Sequence, residues 1–393
     1  MRGFKFDGVI PASKSLFNRA LICASYGDDV VLHGDSSCDD VVKMKAALLK
    51  LGSGEDFDCG SAGTVLRFLA LRVSRIPGRH ILRGTPRLFS RPQQDLQDIL
   101  LQLGVQLVLY PDHMIIQGDG WRPQAPRVRV SRKNSSQFVS GLLLNAWNLE
   151  FPLEIEWDEV GVSDGYWQMT VQLVKKFGMN VSQTALGIQV PARSTVKLKQ
   201  YQVESDLSSA FAIAAYAALN GEATFRHFPF SSLQPDGVFV SVLEEMGVGV
   251  ERDDDSVRIF QKGGSRLRGI HWNLNDCPDL FPVLATLCAF ADGPSRLDGA
   301  PHLVFKESNR IAKTSELLTP LGVATKILSD GMEICPPASF VTGMIPFKYD
   351  TDHDHRLAFA AALVASQHHA VEIQHPEVVN KSFPEFWNLL TPS

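Results

Sequence analysis

Six stretches of this chain turn apolar on nearly every side after a short start of small or polar residues. They begin at Lys14, Gly63, Ser136, Ser208, Asp279 and His355. A helix that is apolar all round is a buried helix, so each stretch predicts one. A second kind of helix alternates with these. It is apolar on one stripe and ends in a bulky apolar residue followed by glycine, as in Asp39 to Gly52, Pro92 to Gly104, Tyr166 to Gly178, Pro235 to Gly247 and Glu307 to Gly322. Glycine just past the last turn is the expected helix stop. The last copy, Pro384 to Leu390, lacks it. Short alternating runs such as 105–109 and 248–250 predict strands.

The spacing makes this a repeat. Successive starts of the buried helices lie 49, 73, 72, 71 and 76 residues apart. A period of this size implies one α/β unit written six times. Ordinary alternation of helices and strands does not predict such even intervals. The first interval is short by more than 20 residues, and Gly52 to Asp58 stand where a strand pair belongs. The first unit is therefore expected to be truncated. A chain of 393 residues is of two-domain length. That puts three units in each half.

Chemistry collects at the helix starts. Lys14 and Arg19 lie in the first turns of the first helix, where the macrodipole disfavours cations. A bound anion, held by the helix N–H groups and both cations, would compensate. Two exposed basic residues at a helix start are the plainer reading, and for this helix alone the two stand about even. The other starts carry Arg67; Ser135, Ser136 and Gln137; Asp206, Ser208 and Ser209; Asp279; and His355 and Arg356. The basic residues among them favour the anion. The chain is 45% hydrophobic and 21% charged, hence globular. Its net charge of −5 argues against a nucleic-acid partner, so any basic site must be local. No two of the six cysteines form a Cys-x-x-Cys pair. They read as reduced thiols of a cytosolic protein. No leader or membrane-spanning stretch is evident, so a cytoplasmic location without membrane contact is expected.

With the starts lined up, the chain resembles the 5-enolpyruvylshikimate-3-phosphate synthase family of enolpyruvyl transferases. The likeness runs through Pro11-Ala12-Ser13-Lys14-Ser15-Leu16-Phe17-Asn18-Arg19-Ala20 and Ser61-Ala62-Gly63-Thr64-Val65-Leu66-Arg67. Arg91-Pro92, Ser135-Ser136-Gln137-Phe138 and Asp206-Leu207-Ser208-Ser209-Ala210 follow, then Pro278-Asp279. Lys306-Glu307-Ser308-Asn309-Arg310, Asp354-His355-Arg356 and Lys381-Ser382-Phe383-Pro384 complete the series. Any one of these is weak; all of them in order are specific.

The resemblance implies an α/β fold of two similar domains, each of three βαβαββ units, an inside-out α/β barrel. Residues 13–205 would form the N-terminal domain, and 1–12 with 206–393 the C-terminal one, with the active site in the cleft between them. The implied reaction moves the enolpyruvyl group of phosphoenolpyruvate to the 5-hydroxyl of shikimate 3-phosphate and releases phosphate. Lys14, Ser15, Arg19, Ser135, Ser136, Gln137, Ser163, Tyr166, Asp279 and Lys306 resemble the shikimate-phosphate contacts. Lys14, Gly63, Arg91, Gln137, Arg310, Arg356 and Lys381 resemble the phosphoenolpyruvate set. Arginine suits such a pocket because its planar fork binds carboxylate and phosphate bidentately. Asp279 would accept the proton and Glu307 donate one, with Lys14 and Lys381 able to share either transfer. The partners are these two small substrates, with neither metal nor cofactor, and a monomer is expected. The family's phosphoenolpyruvate pocket also takes glyphosate.

The chain departs from the family pattern with Ala12 for Gly, Phe17 for Ser, Ser61 for Asn, Phe68 for Pro, His302 for Asn and Asn309 for Asp. His302 falls where the family contacts the shikimate phosphate. Two rivals stand beside this reading. The transferase acting on UDP-N-acetylglucosamine carries Lys-Asn at Lys14-Ser15 and usually a reactive Cys on the loop before Arg-Pro, whereas Arg87-Leu88-Phe89-Ser90-Arg91 has none. A catalytically impaired phosphate-binding paralogue would fit the short first unit. Under the main reading the implied cations divide between the halves and repel across an empty cleft. Small-angle scattering should then show contraction on adding shikimate 3-phosphate with a phosphoenolpyruvate analogue. Unchanged dimensions would count against it.

Overall fold

A parallel strand pair, joined through a buried helix and followed by an amphipathic helix and an antiparallel hairpin, recurs along the chain. In the computed structural model, which describes residues 3–157, 161–263, 266–340, 346–367 and 370–390, this pattern builds four four-stranded sheets. One runs Phe57–Asp58, Gly78–Arg83, His113–Gly118, Gln106–Leu109 in spatial order. The first two strands are parallel and the rest antiparallel. The same order builds Arg127–Arg129, Leu153–Glu156, Gly187–Val190, Ser182–Gln183. It recurs in Phe4–Gly8, Gly221–Arg226, Ser256–Phe260, Gly249–Arg252. The fourth is His271–Asn273, Ser295–Asp298, Met332–Cys335, Ala324–Ile327.

Two further copies stop at the parallel pair. Val31–His33 pairs with Gln200–Gln202 beside the Lys14–Ala24 helix. Phe347–Asp350 pairs with Val371–Gln374 across the His355–Ser366 helix. In the first copy the Asp39–Leu49 helix leads through a turn into Phe57–Asp58, which already opens the next sheet. No strand pair forms there, as the short interval predicts. Among the described residues the sixth copy also has none: a 3-10 segment, Pro376–Lys381, and the helix Phe386–Leu390 follow its second strand. Spacing could not reveal this, because it is measured from one helix start to the next and the last copy has no successor.

The chain divides into two compact units, Ala12–Glu204 and the residues on either side of it. Each is built around three buried helices. Phe281–Ala289 is buried at every position, and His355–Ser366 from His355 to Val364. Leu207–Asn220 packs with both in the same core. Fully burying one Leu or Phe contributes about 1.5–3 kcal/mol, so these helices anchor their unit. The amphipathic helices stop as expected: Gly178 (φ 112°) and Gly322 (φ 75°) sit in the left-handed region at their ends, which a residue with a Cβ disfavours. One shifted boundary bears on the site. The helix expected from Glu307 begins at Arg310, because Asn309 caps it by accepting from Ala312 N at 3.1 Å. Glu307 stays in the preceding loop, free of helical constraint.

Candidate active site

The residues singled out from sequence gather as two clusters, one in each unit. In Ala12–Glu204 the Lys14, Gly63 and Gln137 helices pack on one another. Lys14 Nζ stands 3.2 Å from Asp40 Oδ2. Arg19 is 2% exposed. Its Nε donates to Thr170 Oγ1 at 2.8 Å and its Nη1 to the Ser15 carbonyl at 3.0 Å. The guanidinium carbon lies 5.2 Å from the Phe68 ring centre and 6.0 Å from that of Tyr166. Burial pulls its pKa down to about 10, so it is still charged near neutrality. No carboxylate of the described residues forms an ion pair with it. A buried cation held only by neutral groups is costly unless an anion arrives.

Arg67 ties three segments of this cluster together. Its guanidinium donates to Gln137 Oε1 at 2.8 Å and the Pro92 carbonyl at 3.1 Å, and reaches Ser135 Oγ at 3.5 Å. Gln137 in turn donates to Thr64 Oγ1 at 3.3 Å. Gly63 makes room for Arg91: a methyl group added at 63 would stand 2.8 Å from Arg91 Nη1 and 3.2 Å from its Cζ. Ser136 and Ser163 are buried. Ser163 takes a left-handed conformation (φ 56°) just before the Asp164–Phe177 helix, and its carbonyl accepts from Tyr166 N at 3.1 Å.

The second cluster interleaves four cations with three carboxylates. Asp279 lies in the 3-10 turn Pro278–Leu280 that leads into the buried Phe281 helix. Its Oδ1 accepts from Arg310 Nη1 at 2.8 Å and stands 3.7 Å from Lys306 Nζ; Oδ2 is 3.4 Å from Arg356 Nη2. Burial pushes the Asp279 carboxyl up, but Lys306, Arg310 and Arg356 outweigh it and hold it well below the usual range. Glu307 bridges Arg310 Nη2 at 3.1 Å and Lys381 Nζ at 3.5 Å. Asp354 is wholly buried and accepts from Arg310 Nε (2.8 Å) and Nη2 (3.2 Å), Ser308 Oγ (3.0 Å) and the Arg356 backbone N (3.0 Å). Arg310 thus spends most of its N–H groups on Asp279, Glu307 and Asp354. His302 is 3% exposed, and burial, with Lys306 and Arg310 nearby, pulls its pKa down to about 3, so the imidazole is neutral.

Asp354, Arg67 and Thr170 help to hold these clusters and were not among the expected site residues. Asp354 and Arg67 did lie in quoted motifs, which was signal enough to include them. Thr170 carried none.

The fold itself is that of the enolpyruvyl transferases. EPSP synthase from Acinetobacter baumannii superposes with a TM-score of 0.76 at 22% identity, over 98% of this chain and 95% of that one. The enolpyruvyl transferase NikO from Streptomyces tendae does so at 0.73 and 15%, over 99% and 94%. The sequence profile of EPSP synthase (3-phosphoshikimate 1-carboxyvinyltransferase) matches residues 53–390. A 3-phosphoshikimate 1-carboxyvinyltransferase from Syntrophobacter fumaroxidans is 33% identical over 98% of this chain and 96% of its own length. The chain belongs to the EPSP synthase family.

Proposed function

We propose that the chain transfers the enolpyruvyl group of phosphoenolpyruvate to the 5-hydroxyl of shikimate 3-phosphate, releasing phosphate. The observation that carries this is Arg19, a buried guanidinium with neutral clamps and, among the described residues, no acid paired with it. With Lys14, Ser15, Ser135, Ser136, Gln137, Ser163 and Tyr166 it offers a seat for a phosphorylated substrate. Both substrates carry a phosphate and a carboxylate, and Arg91, Arg310, Arg356 and Lys381 supply charge for phosphoenolpyruvate. The reaction is addition and then elimination. Asp279 accepts the proton of the 5-hydroxyl, and Glu307 protonates the methylene carbon of phosphoenolpyruvate. The tetrahedral intermediate then expels phosphate: Glu307 takes a proton back from the new methyl group as the C–O bond to phosphate breaks, and the proton taken from the 5-hydroxyl passes to the leaving phosphate. Lys14 and Lys381 lie within 3.5 Å of a carboxylate and can share in either transfer.

With Lys306, Arg310 and Arg356 crowding it, Asp279 is a weak base before anions arrive. Substrates that take over Lys306 and Arg356 relieve that suppression, so the base gains strength when it is needed. The chain acts as a monomer in the cytoplasm under this proposal. The free state of all six cysteines fits the reducing compartment. Phosphate release from phosphoenolpyruvate that depends on shikimate 3-phosphate tests the activity. Release that depends instead on UDP-N-acetylglucosamine, or no release at all, overturns it.

The geometry at Gly63 sharpens one expectation. The parent should be glyphosate-sensitive and Gly63→Ala resistant, but the methyl group meets the Arg91 guanidinium before any ligand. Resistance should therefore come with a KM for phosphoenolpyruvate raised by about tenfold, as a bidentate contact is displaced. Inhibition measured at fixed phosphoenolpyruvate decides it; equal inhibition of the two proteins refutes it.

A further inference from the structure

We propose that Phe68 is a positioning residue for Arg19, and that Gly141 is the space that lets it be one. This rests on the reading of Arg19 as a phosphate-binding cation. Phe68 is fully buried in the Gly63–Val73 helix, and its ring faces the Arg19 guanidinium, which belongs to the Lys14–Ala24 helix. The separation of 5.2 Å is within range of a cation–π interaction. Beside the ring stands Gly141, in the Gln137–Leu144 helix. A methyl group there would lie 3.2 Å from Phe68 Cδ1 and 2.9 Å from Leu71 Cδ1. Asn145 fastens the two helices at the same level, donating to the carbonyls of Phe68 (3.2 Å) and Gly141 (2.8 Å).

The physical point is what kind of clamp this is. A carboxylate would orient Arg19 but would also cancel its charge and compete with the ligand. The groups that do hold it are a threonine hydroxyl, a backbone carbonyl and two aromatic faces. All are neutral, so the guanidinium is fixed while its charge stays available. A large ring needs a small neighbour, and Gly141 supplies it.

Calorimetry with shikimate 3-phosphate, on the parent and two variants, tests this. Phe68→Met keeps the volume and loses the ring, and its Kd should rise about tenfold. At saturating shikimate 3-phosphate, kcat and the KM for phosphoenolpyruvate should hardly move. Phe68→Tyr keeps the ring and should bind within about twofold of the parent. Equal binding by Phe68→Met, or equal losses in Met and Tyr, overturns the role of Phe68. If the variants fail to fold, the parent alone suffices: in its NMR spectrum the Arg19 side-chain protons should show nuclear Overhauser contacts to the Phe68 ring, and the Nε proton, held by Thr170, should exchange slowly. A slow Nε proton without ring contacts, or a fast-exchanging one, overturns the proposal. A parent that binds no shikimate 3-phosphate overturns the proposed function instead.

Discussion

Asp279→Ala should lower kcat by about 10²- to 10⁴-fold, the range for losing a positioned acid or base. Affinity for shikimate 3-phosphate should change far less. Under the proposed function the carboxylate is one of several contacts, and its removal leaves Lys306, Arg310 and Arg356 with less negative charge beside them and more able to attract anions. Glu307→Ala should show the same split, since in the proposed reaction it removes a group acting on a proton in flight. Rapid-quench turnover beside equilibrium binding separates the two quantities. Near-normal turnover in either variant would strip that residue of its role. The same carboxylate has a stability signature. Its folded pKa lies below the unfolded value, so its contribution is complete above about pH 4. It is lost only as pH falls through the folded value. Asp279→Asn should therefore flatten the acid limb of a pH–stability curve, which urea melts between about pH 2 and pH 5 would reveal.

Asp354→Ala should be the most damaging of the structural changes. It removes a wholly buried carboxylate that receives four hydrogen bonds, two of them from an arginine only 1% exposed. Breaking one side of a buried ion pair costs about 3–5 kcal/mol, because the remaining charge is stranded. Asp279 and Glu307 still neutralise Arg310 in part, so the lower end is the firmer expectation. Scanning calorimetry should show a fall in Tm of roughly 10 °C for a unit of this size. Asp354→Asn, which keeps acceptors but not charge, should fall in between. A melting curve for Asp354→Ala that overlays the parent would mean that Arg310 never needed this partner.

The buried helices were legible because an all-round apolar run has one stable home, whatever its neighbours. Their starts were legible because a repeat lines up Gly63, Asp279 and His355 without knowledge of the sheets. What escaped is contact across long stretches of chain. Arg19 meets Phe68 and Thr170, and Arg310 meets Asp354, only once helices far apart in sequence have packed. No local pattern records that. Phe68 reads from sequence as a departure from Pro; only the packing explains why Gly141 accompanies it. The helix expected from Glu307 starts at Arg310 for a local reason, since Asn309 caps it.

The strand Phe4–Gly8 pairs in parallel with Gly221–Arg226, so Phe4 aligns with Gly221. During synthesis this strand emerges before the Ala12–Glu204 unit, and its partner only after the whole of it. That inner unit closes earlier, with Val31–His33 against Gln200–Gln202. The opening residues must therefore remain unpaired while an entire unit folds, and are then recruited as the edge strand of a sheet in the other. Such long-range parallel pairing is slow to form. A bulky tag placed directly before Phe4 should consequently delay folding of the second unit, whose Asp279 and Glu307 are nearly three hundred residues downstream, while sparing the first.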